Sequence, residues 1–459
     1  PKKMRLEQWK RAIVLREIPA TEGLPKKTSN FAVSFSNAGK SSYGYFINKC
    51  ISWLALLSFI LVIGNVLYLK TNNITYFWYQ PLINTYSVII SAYILSRFIF
   101  AYFYKPPKEM GDLPCVTVVI ACKNEEASIR QTLDCIYKSD YPEELMEVIS
   151  VDDGSTDHTY LEMERAQKCY PGLKLIRFEK NLGKRHGMAA GARQASGEIL
   201  IYVDSDSFLR KDAIRKLVRG FADPAVGAVC GHAVVENAHK NLLTKMQEVR
   251  YFIAFRIVKA AESLFSVVSC CSGCLAAYRR SYVMEVLDTW LAQRFLGSDA
   301  TFGDDRSLTN YMLKRFRVIY DAEAVCATVV PEKFRQFFKQ QVRWKKSWIR
   351  ESYIASQFMW MRNPIAAIFF YLGVIFPIFS PIILLNALIF PVFGYGNPSF
   401  LYVYGVFLMA MLYGLFYLIQ YVNRFWIYGV LFAFFYMFVL VWQTYYALLT
   451  VNKNHWGTR

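Results

Sequence analysis

An apolar run, Ile199-Leu-Ile-Tyr-Val203, ends in Asp204-Ser-Asp206. On a strand, residues i and i+2 project to the same face, so both carboxylates can enter one pocket, and hard carboxylate oxygens suit Mg²⁺ or Mn²⁺. Asp is also a common turn and helix-cap residue; the triplet gains its weight from the residues that accompany it. Asp152 and Asp153 stand before Gly154, Ser155 and Thr156, and acceptor-only side chains at a sharp turn suit the N–H of a uracil ring or ribose hydroxyls. Lys184 and Arg185 follow Gly183 at the mouth of an expected helix, where two cations and free backbone N–H groups favour a phosphate-bearing ligand. Gly303-Asp-Asp-Arg306 opens another expected helix. Acids there compensate the helix dipole, and one of Asp304 and Asp305 is a candidate general base toward an acceptor hydroxyl.

The elements that must position these residues are short β runs alternating with helical stretches. The pattern predicts strands at 116–121, 147–151, 173–178 and 199–203, with helices at 126–138, 157–169 and 184–195 between them. Such alternation implies a mostly parallel, doubly wound α/β sheet, whose ligands sit beyond the carboxyl ends of the strands. Lys123-Asn-Glu-Glu126, Asp152 with Asp153, and Asp204 with Asp206 all fall there.

The α/β stretch is embedded in a very different composition. Of the 459 residues, 54% are hydrophobic, too many for an ordinary soluble domain. Runs at 51–69 and 82–104 are each long enough to cross a bilayer, and residues from 364 onward are almost continuously apolar. The expected organisation is a basic cytosolic tail (1–49), a transmembrane hairpin (50–104), a cytosolic catalytic domain (105–332), interfacial amphipathic helices (333–362), transmembrane or re-entrant helices (363–450) and a cytosolic tail (451–459). The helical runs at 364–392 and 399–422 are expected to cross the membrane, and 425–450 to lie at its surface or re-enter, because Arg424 and Lys453 flank it. Residues 1–49 carry ten Lys/Arg against three Glu, which by the positive-inside rule holds the tail and the catalytic domain in the cytoplasm. The first apolar run begins far from Pro1, so no cleavable signal peptide is expected.

The net charge of +18 is explained by this membrane proximity; no nucleic-acid module appears, and nucleic acid is excluded as a partner. Ten cysteines are scattered without regular spacing, so reduced thiols are expected. Cys270-Cys-Ser-Gly-Cys274 lacks the second ligand pair of a zinc site.

The ordered motifs VDDGS, NLGKRH, VDSDS, SGCLAAYRR, FGDDRSLTNYML, QQVRWKKSWIRE and HWGTR together resemble those of the processive, membrane-integrated family-2 glycosyltransferases, which include the hyaluronan and chitin-oligosaccharide synthases. The resemblance spans residues 50–459. It implies an α/β GT-A-type glycosyltransferase domain inserted in an α-helical transmembrane region, UDP-sugar donors (UDP-GlcNAc and UDP-GlcA, or UDP-GlcNAc alone), Mg²⁺ or Mn²⁺, and a polysaccharide passed through the enzyme's own channel. The implied partners are UDP-sugars, the growing polysaccharide and the lipid bilayer of the plasma membrane; for the oligomeric state, a monomer and an oligomer both stay open.

Carried over by motif, Asp152 and Asp153 would meet the uridine, Lys184 and Arg185 the nucleotide and its phosphates, and Asp204 and Asp206 the metal. Asp305 would be the base, with Asp304 beside it. Gln340 and Arg343 would face the diphosphate, Trp344 the acceptor sugar, and Trp456, Gly457 and Thr458 would gate the nucleotide. Cys270, Ser272, Gly273, Cys274 and Arg306 would line the acceptor. Where those families commonly read Gly-Pro, this chain has Gly273-Cys274. A non-processive, lipid-linked glycosyltransferase is the alternative that leaves the QxxRW and WGTR motifs without a role.

Overall fold

The computed structural model describes residues 42–75, 80–394 and 399–453. Two long helices, α1 (Ser42–Thr75) and α2 (Pro81–Phe103), precede the sheet domain. The alternation then runs as β1 (Val116–Cys122), α3 (Ile129–Tyr137), β2 (Met146–Asp152), α4 (Thr159–Cys169), β3 (Leu173–Arg177), α5 (Lys184–Gln194) and β4 (Ile199–Tyr202). After it come β5 (Ser207–Leu209), α6 (Ala213–Val218), β6 (Val226–Val235) and α7 (Leu242–Phe252), which continues through π-helical turns at Ile253–Lys259. The domain closes with β7 (Ala276–Arg279), α8 (Arg280–Leu291), a small hairpin of β8 (Arg294–Phe295) and β9 (Ser298–Asp299), α9 (Asp304–Leu313) and β10 (Arg317–Thr328). Helices α10 (Phe334–Ser356), α11 (Pro364–Leu384), α12 (Phe400–Tyr421), α13 (Trp426–Phe435) and α14 (Gln443–Leu449) follow.

The sheet has eight strands in the order β3-β2-β1-β4-β7-β6-β10-β5. The first half is the expected parallel unit, with β1 between β2 and β4. The expectation of a mostly parallel sheet holds, since β6 and β10 also pair parallel and six of the eight strands run the same way; β7, antiparallel to both β4 and β6, and β5, antiparallel to β10, run against them. The reason is the chain path: β7 is entered from a long helix and an irregular loop instead of a βαβ crossover, so nothing forces the parallel direction. β1 is buried along its whole length, and α5 packs directly on it. A side chain at Gly191 would start 2.3 Å from the Val119 Cγ1 atom, so this glycine sets the approach of the helix whose first residue is Lys184.

Four described helical stretches are long and apolar enough to cross a bilayer: Ile47–Thr75, Pro81–Phe103, Pro364–Phe393 and Phe400–Tyr421. The last pair, Trp426–Leu440 and Gln443–Leu449, bends by 44° at its break, where a straight crossing would not. Lys345 of α10 donates to the Leu440 carbonyl at 2.6 Å and to the Thr444 hydroxyl at 3.0 Å, meeting the carbonyl freed at that bend. The amphipathic α10 is one continuous helix, and its polar residues do not all face solvent. Asn310 of α9 donates to the Glu351 carbonyl at 2.9 Å and to its carboxylate at 3.0 Å, docking α10 against the sheet domain, while Arg350, beside Glu351 on α10, donates to the same carboxylate at 2.7 Å.

Candidate active site at the strand ends

The carboxyl ends of β1, β2 and β4 meet as predicted, and their loops are tied to one another. Asn124 accepts the Thr156 N–H at 2.9 Å, Ser155 accepts the Asn124 N–H at 3.0 Å, and Thr132 of α3 donates to the Ser205 carbonyl at 2.7 Å. A cleft beside them is lined by Lys184, Asp204, Gly273 and Asp305, with Ala121, Met188 and Tyr202 as its apolar floor. Lys184 forms an ion pair with Asp204. Burial opposes the lysine's charge, but Asp204, with Asp305 and Asp304 beyond it, outweighs that burial and holds its pKa above the usual lysine range. A side chain on Gly273 would begin 3.0 Å from Asp204 Oδ1 and 3.2 Å from Lys184 Nζ, so this glycine leaves the pair open to the cleft.

Asp305 is on the same cleft. Its carboxylate accepts the Arg306 N–H at 2.8 Å and faces the Cys270 thiol at 3.6 Å; burial, and then the Asp305 charge, push that thiol up to about 12. What fixes α9 is Gly303, at φ 76° in the left-handed region, where a Cβ would lie 1.8 Å from the Ser347 hydroxyl. Only glycine lets the GDD turn lie against α10. That helix in turn brings Arg343 to the acids: burial lowers its pKa, while Asp305, Asp204 and Asp304 each work to raise it. Trp344 is 36% exposed, and the Arg250 guanidinium lies 5.3 Å from its ring centroid.

Some expected site residues are turned elsewhere. Arg185 and Asp304 have side chains 4% and 6% exposed and bond to each other at 2.8 Å. Arg185 also donates to the Trp290 carbonyl at 2.9 Å and stacks over the Trp290 ring at 5.0 Å. The expected contact of Arg185 with the nucleotide, and of Asp304 with the acceptor, is corrected accordingly: the pair joins α5 to α9 inside the domain, leaving Lys184 and Asp305 to face the cleft. Asp153 accepts the Leu182 and Gly183 N–H groups at 2.7 and 2.9 Å, so its carboxylate organises the loop before Lys184. Burial nonetheless leaves its pKa raised. Asp152 accepts the Ser155 N–H at 3.1 Å, and its second oxygen is buried without a hydrogen-bond partner, 3.6 Å from Arg177. Asp152 is 0% exposed, so that oxygen is turned toward Arg177 inside the turn and not toward the cleft. Arg306 lines a second small cleft with Ser269, Asn310, Glu351 and Phe370. Ser272 and Cys274 flank Gly273, and Gln340 lies in the same turn of α10 as Arg343. Trp456, Gly457 and Thr458 lie outside the described residues.

Among the described residues no three acidic, histidine or cysteine side chains form a closed metal cage. Asp206 is 3.5 Å from the Thr328 hydroxyl, and the Asp204 and Asp206 charges together raise the pKa values of Cys274 and Tyr251, behind the dominant effect of burial. Two carboxylates on one negative wall fit a hard divalent cation that takes its remaining ligands from water and substrate phosphates, as Mg²⁺ sites do. Arg250 was not among the motif residues; α7 carries no catalytic pattern in its sequence, and only tertiary packing brings it over Trp344.

Residues 117–287 match the model of glycosyl transferase family 2. The chain is 32% identical over 420 residues to a hyaluronan synthase of Streptococcus pyogenes, covering 88% of this chain and 97% of that protein. It is 36% identical over 282 residues to an N-acetylglucosaminyltransferase of Rhizobium meliloti, covering 60% and 66% respectively. Among solved structures, a mannosyltransferase of Pyrobaculum calidifontis in complex with GDP-mannose and Mn²⁺ shares the fold, with a TM-score of 0.53 at 23% identity over 75% of this chain and 96% of that one.

Proposed function

Because the chain belongs to glycosyltransferase family 2, a glycosyltransferase family whose GT-A architecture its sheet domain shares, we propose that it polymerises sugars from UDP-linked donors, UDP-GlcNAc and UDP-GlcA, and passes the product through its own membrane helices. The observation that carries this reading is that Asp305, Lys184 and Asp204 line one cleft while Arg343, from the helix leading into the membrane segment, feels the same carboxylates. The sheet domain is then cytosolic, at the inner face of the plasma membrane.

In the proposed reaction Asp305 takes the proton from the acceptor hydroxyl as its oxygen attacks the donor's anomeric carbon in line. The bond from that carbon to the UDP oxygen breaks with inversion, and the diphosphate leaves with the electron pair. Lys184 and Arg343 hold the charge that develops on the diphosphate, the turn at Asp152 and Asp153 meets the uridine, and Trp344 gives the acceptor sugar an apolar platform. A divalent cation held by Asp206 and Asp204 would supply further charge neutralisation at the diphosphate.

The purified protein should make polymer only when both donors are present, and Asp305→Asn should lower UDP release ~10²-fold or more while UDP still binds. Near-normal turnover in Asp305→Asn would remove that residue from the chemistry. A second reading, polymerisation of UDP-GlcNAc alone, is supported by the likeness to the Rhizobium enzyme, and product from that single donor would select it.

A further inference from the structure

Arg97 lies in α2, in one of the stretches long and apolar enough to cross a bilayer, and is 4% exposed. Its guanidinium carbon is 4.2 Å from the centroid of the Phe369 ring, 4.7 Å from Tyr93 and 5.9 Å from Phe100. Its Nε and one terminal nitrogen are buried with no hydrogen-bond partner; the Glu262 carboxylate acts on the neighbouring Tyr93 hydroxyl but is engaged by the Ser269 N–H at 3.0 Å and the Ser269 hydroxyl at 2.9 Å. An arginine does not shed its charge. Aromatic rings attract the cation through their faces but give the in-plane N–H groups no acceptor, and a buried donor left unmet is destabilising.

The surroundings continue the same theme. The buried residues of α2 are Ile83, Ser87, Ser91, Arg97 and Ala101, so the face turned into the bundle is largely polar. Lys70 of α1, also buried, donates to Ser87, about 15 Å along the helix from Arg97 at 1.5 Å per residue. None of the five membrane-type stretches contains an Asp or Glu. Two buried cations in an apolar bundle without a single acid call for a negative partner from outside it. The Arg97 collar touches the sheet domain, where Phe100 meets Phe265 edge-on at 5.0 Å, five residues before Cys270, whose thiol faces Asp305.

We infer that Arg97 and the rings of Tyr93, Phe100 and Phe369 form a subsite for the carboxylate of an acidic sugar in the extending polymer, between the cleft and the membrane helices. This rests on the proposed passage of product along those helices. A carboxylate accepts two parallel N–H bonds from a guanidinium, which meets the donors now buried without partners, and the rings give the sugar its apolar contact. With the guanidinium so enclosed, a sugar enters as the collar rings turn aside. A neutral sugar would leave the donors unmet, so the subsite distinguishes an acidic polymer from a neutral one.

The test is binding of a fluorescent oligosaccharide of alternating GlcNAc and GlcA, against the same oligosaccharide with its carboxyls reduced, to the full chain in zwitterionic nanodiscs. The wild type should prefer the acidic form by ~10-fold or more, equivalent to about 1.4 kcal/mol. Arg97→Gln should erase the preference, and Arg97→Lys, which keeps the charge without the planar fork, should retain part of it. If Arg97→Gln does not elute as a monodisperse species, an unchanged preference in Arg97→Lys overturns the inference. Equal binding of the two oligosaccharides by the wild type also overturns it, as does loss of the preference when phosphatidylglycerol is added, which would make a lipid headgroup the anion. Polymer formed from both donors without an Arg97-dependent preference would sink the subsite and keep the polymerase reading. Arg97-dependent binding without such polymer would do the reverse.

Discussion

Asp304 and Asp305 are neighbours in sequence with opposite surroundings, and their replacements should separate stability from chemistry. Asp304→Asn leaves the Arg185 guanidinium, 4% exposed, without its counter-ion at 2.8 Å. Removing one partner of such a buried pair costs about 3–5 kcal/mol. In a domain of this size each kcal/mol moves the melting temperature by roughly 2–4 °C, so a drop of roughly 6–20 °C is expected. Arg185→Met with Asp304→Asn should recover much of that loss, because no uncompensated charge then remains buried; the coupling in a double-mutant cycle should be ~1 kcal/mol or more. Melting followed by tryptophan fluorescence and UDP release measured on the same preparations give both readouts. Asp304→Asn that melts like the wild type yet has lost UDP release ~10²-fold would refute the assignment and return Asp304 to the chemistry.

Glu248 of α7 is buried, accepts the Val235 N–H at 3.2 Å and the Tyr417 hydroxyl at 3.5 Å, and burial raises its pKa from 4.5 to about 7. The folded state thus holds this proton more tightly than the unfolded chain, so the contribution is fully present below about pH 4.5 and is lost as pH rises through about 7, at most roughly 3 kcal/mol. Melting profiles should fall across this window in the wild type and flatten in Glu248→Gln; parallel profiles would show that Glu248 does not titrate there. Gly303→Ala forces a Cβ to within 1.8 Å of the Ser347 hydroxyl at a positive φ, so it should both lower stability by more than about 1 kcal/mol and depress UDP release by displacing Asp305. Gly303→Ala with wild-type melting and turnover would mean that the turn does not need to lie against α10.

Local order in the sheet domain was legible because it is written in short-range pattern. The strands β1 to β4 and the helices between them follow from apolar runs of period two or continuous burial, broken by helical stretches. Their carboxyl ends had to converge once the strands were parallel, which puts Lys123, Asp152 and Asp204 near one another. The apolar segments declared themselves by length alone. β7 could not be oriented this way, since strand direction depends on the partner and not on the residues of the strand.

The sequence by itself therefore determined the elements, the cleft at the strand ends and the identity of most of its acids and bases. Tertiary structure decided which of two adjacent charged residues faces that cleft: Lys184 and Asp305 turn outward while Arg185 and Asp304 close on each other inside. It also decided that Gly303 meets Ser347, that Arg250 covers Trp344, and that Arg97 is enclosed by rings. The physical reason is that charge and burial are properties of surroundings assembled from distant segments, whereas periodicity is a property of the segment itself.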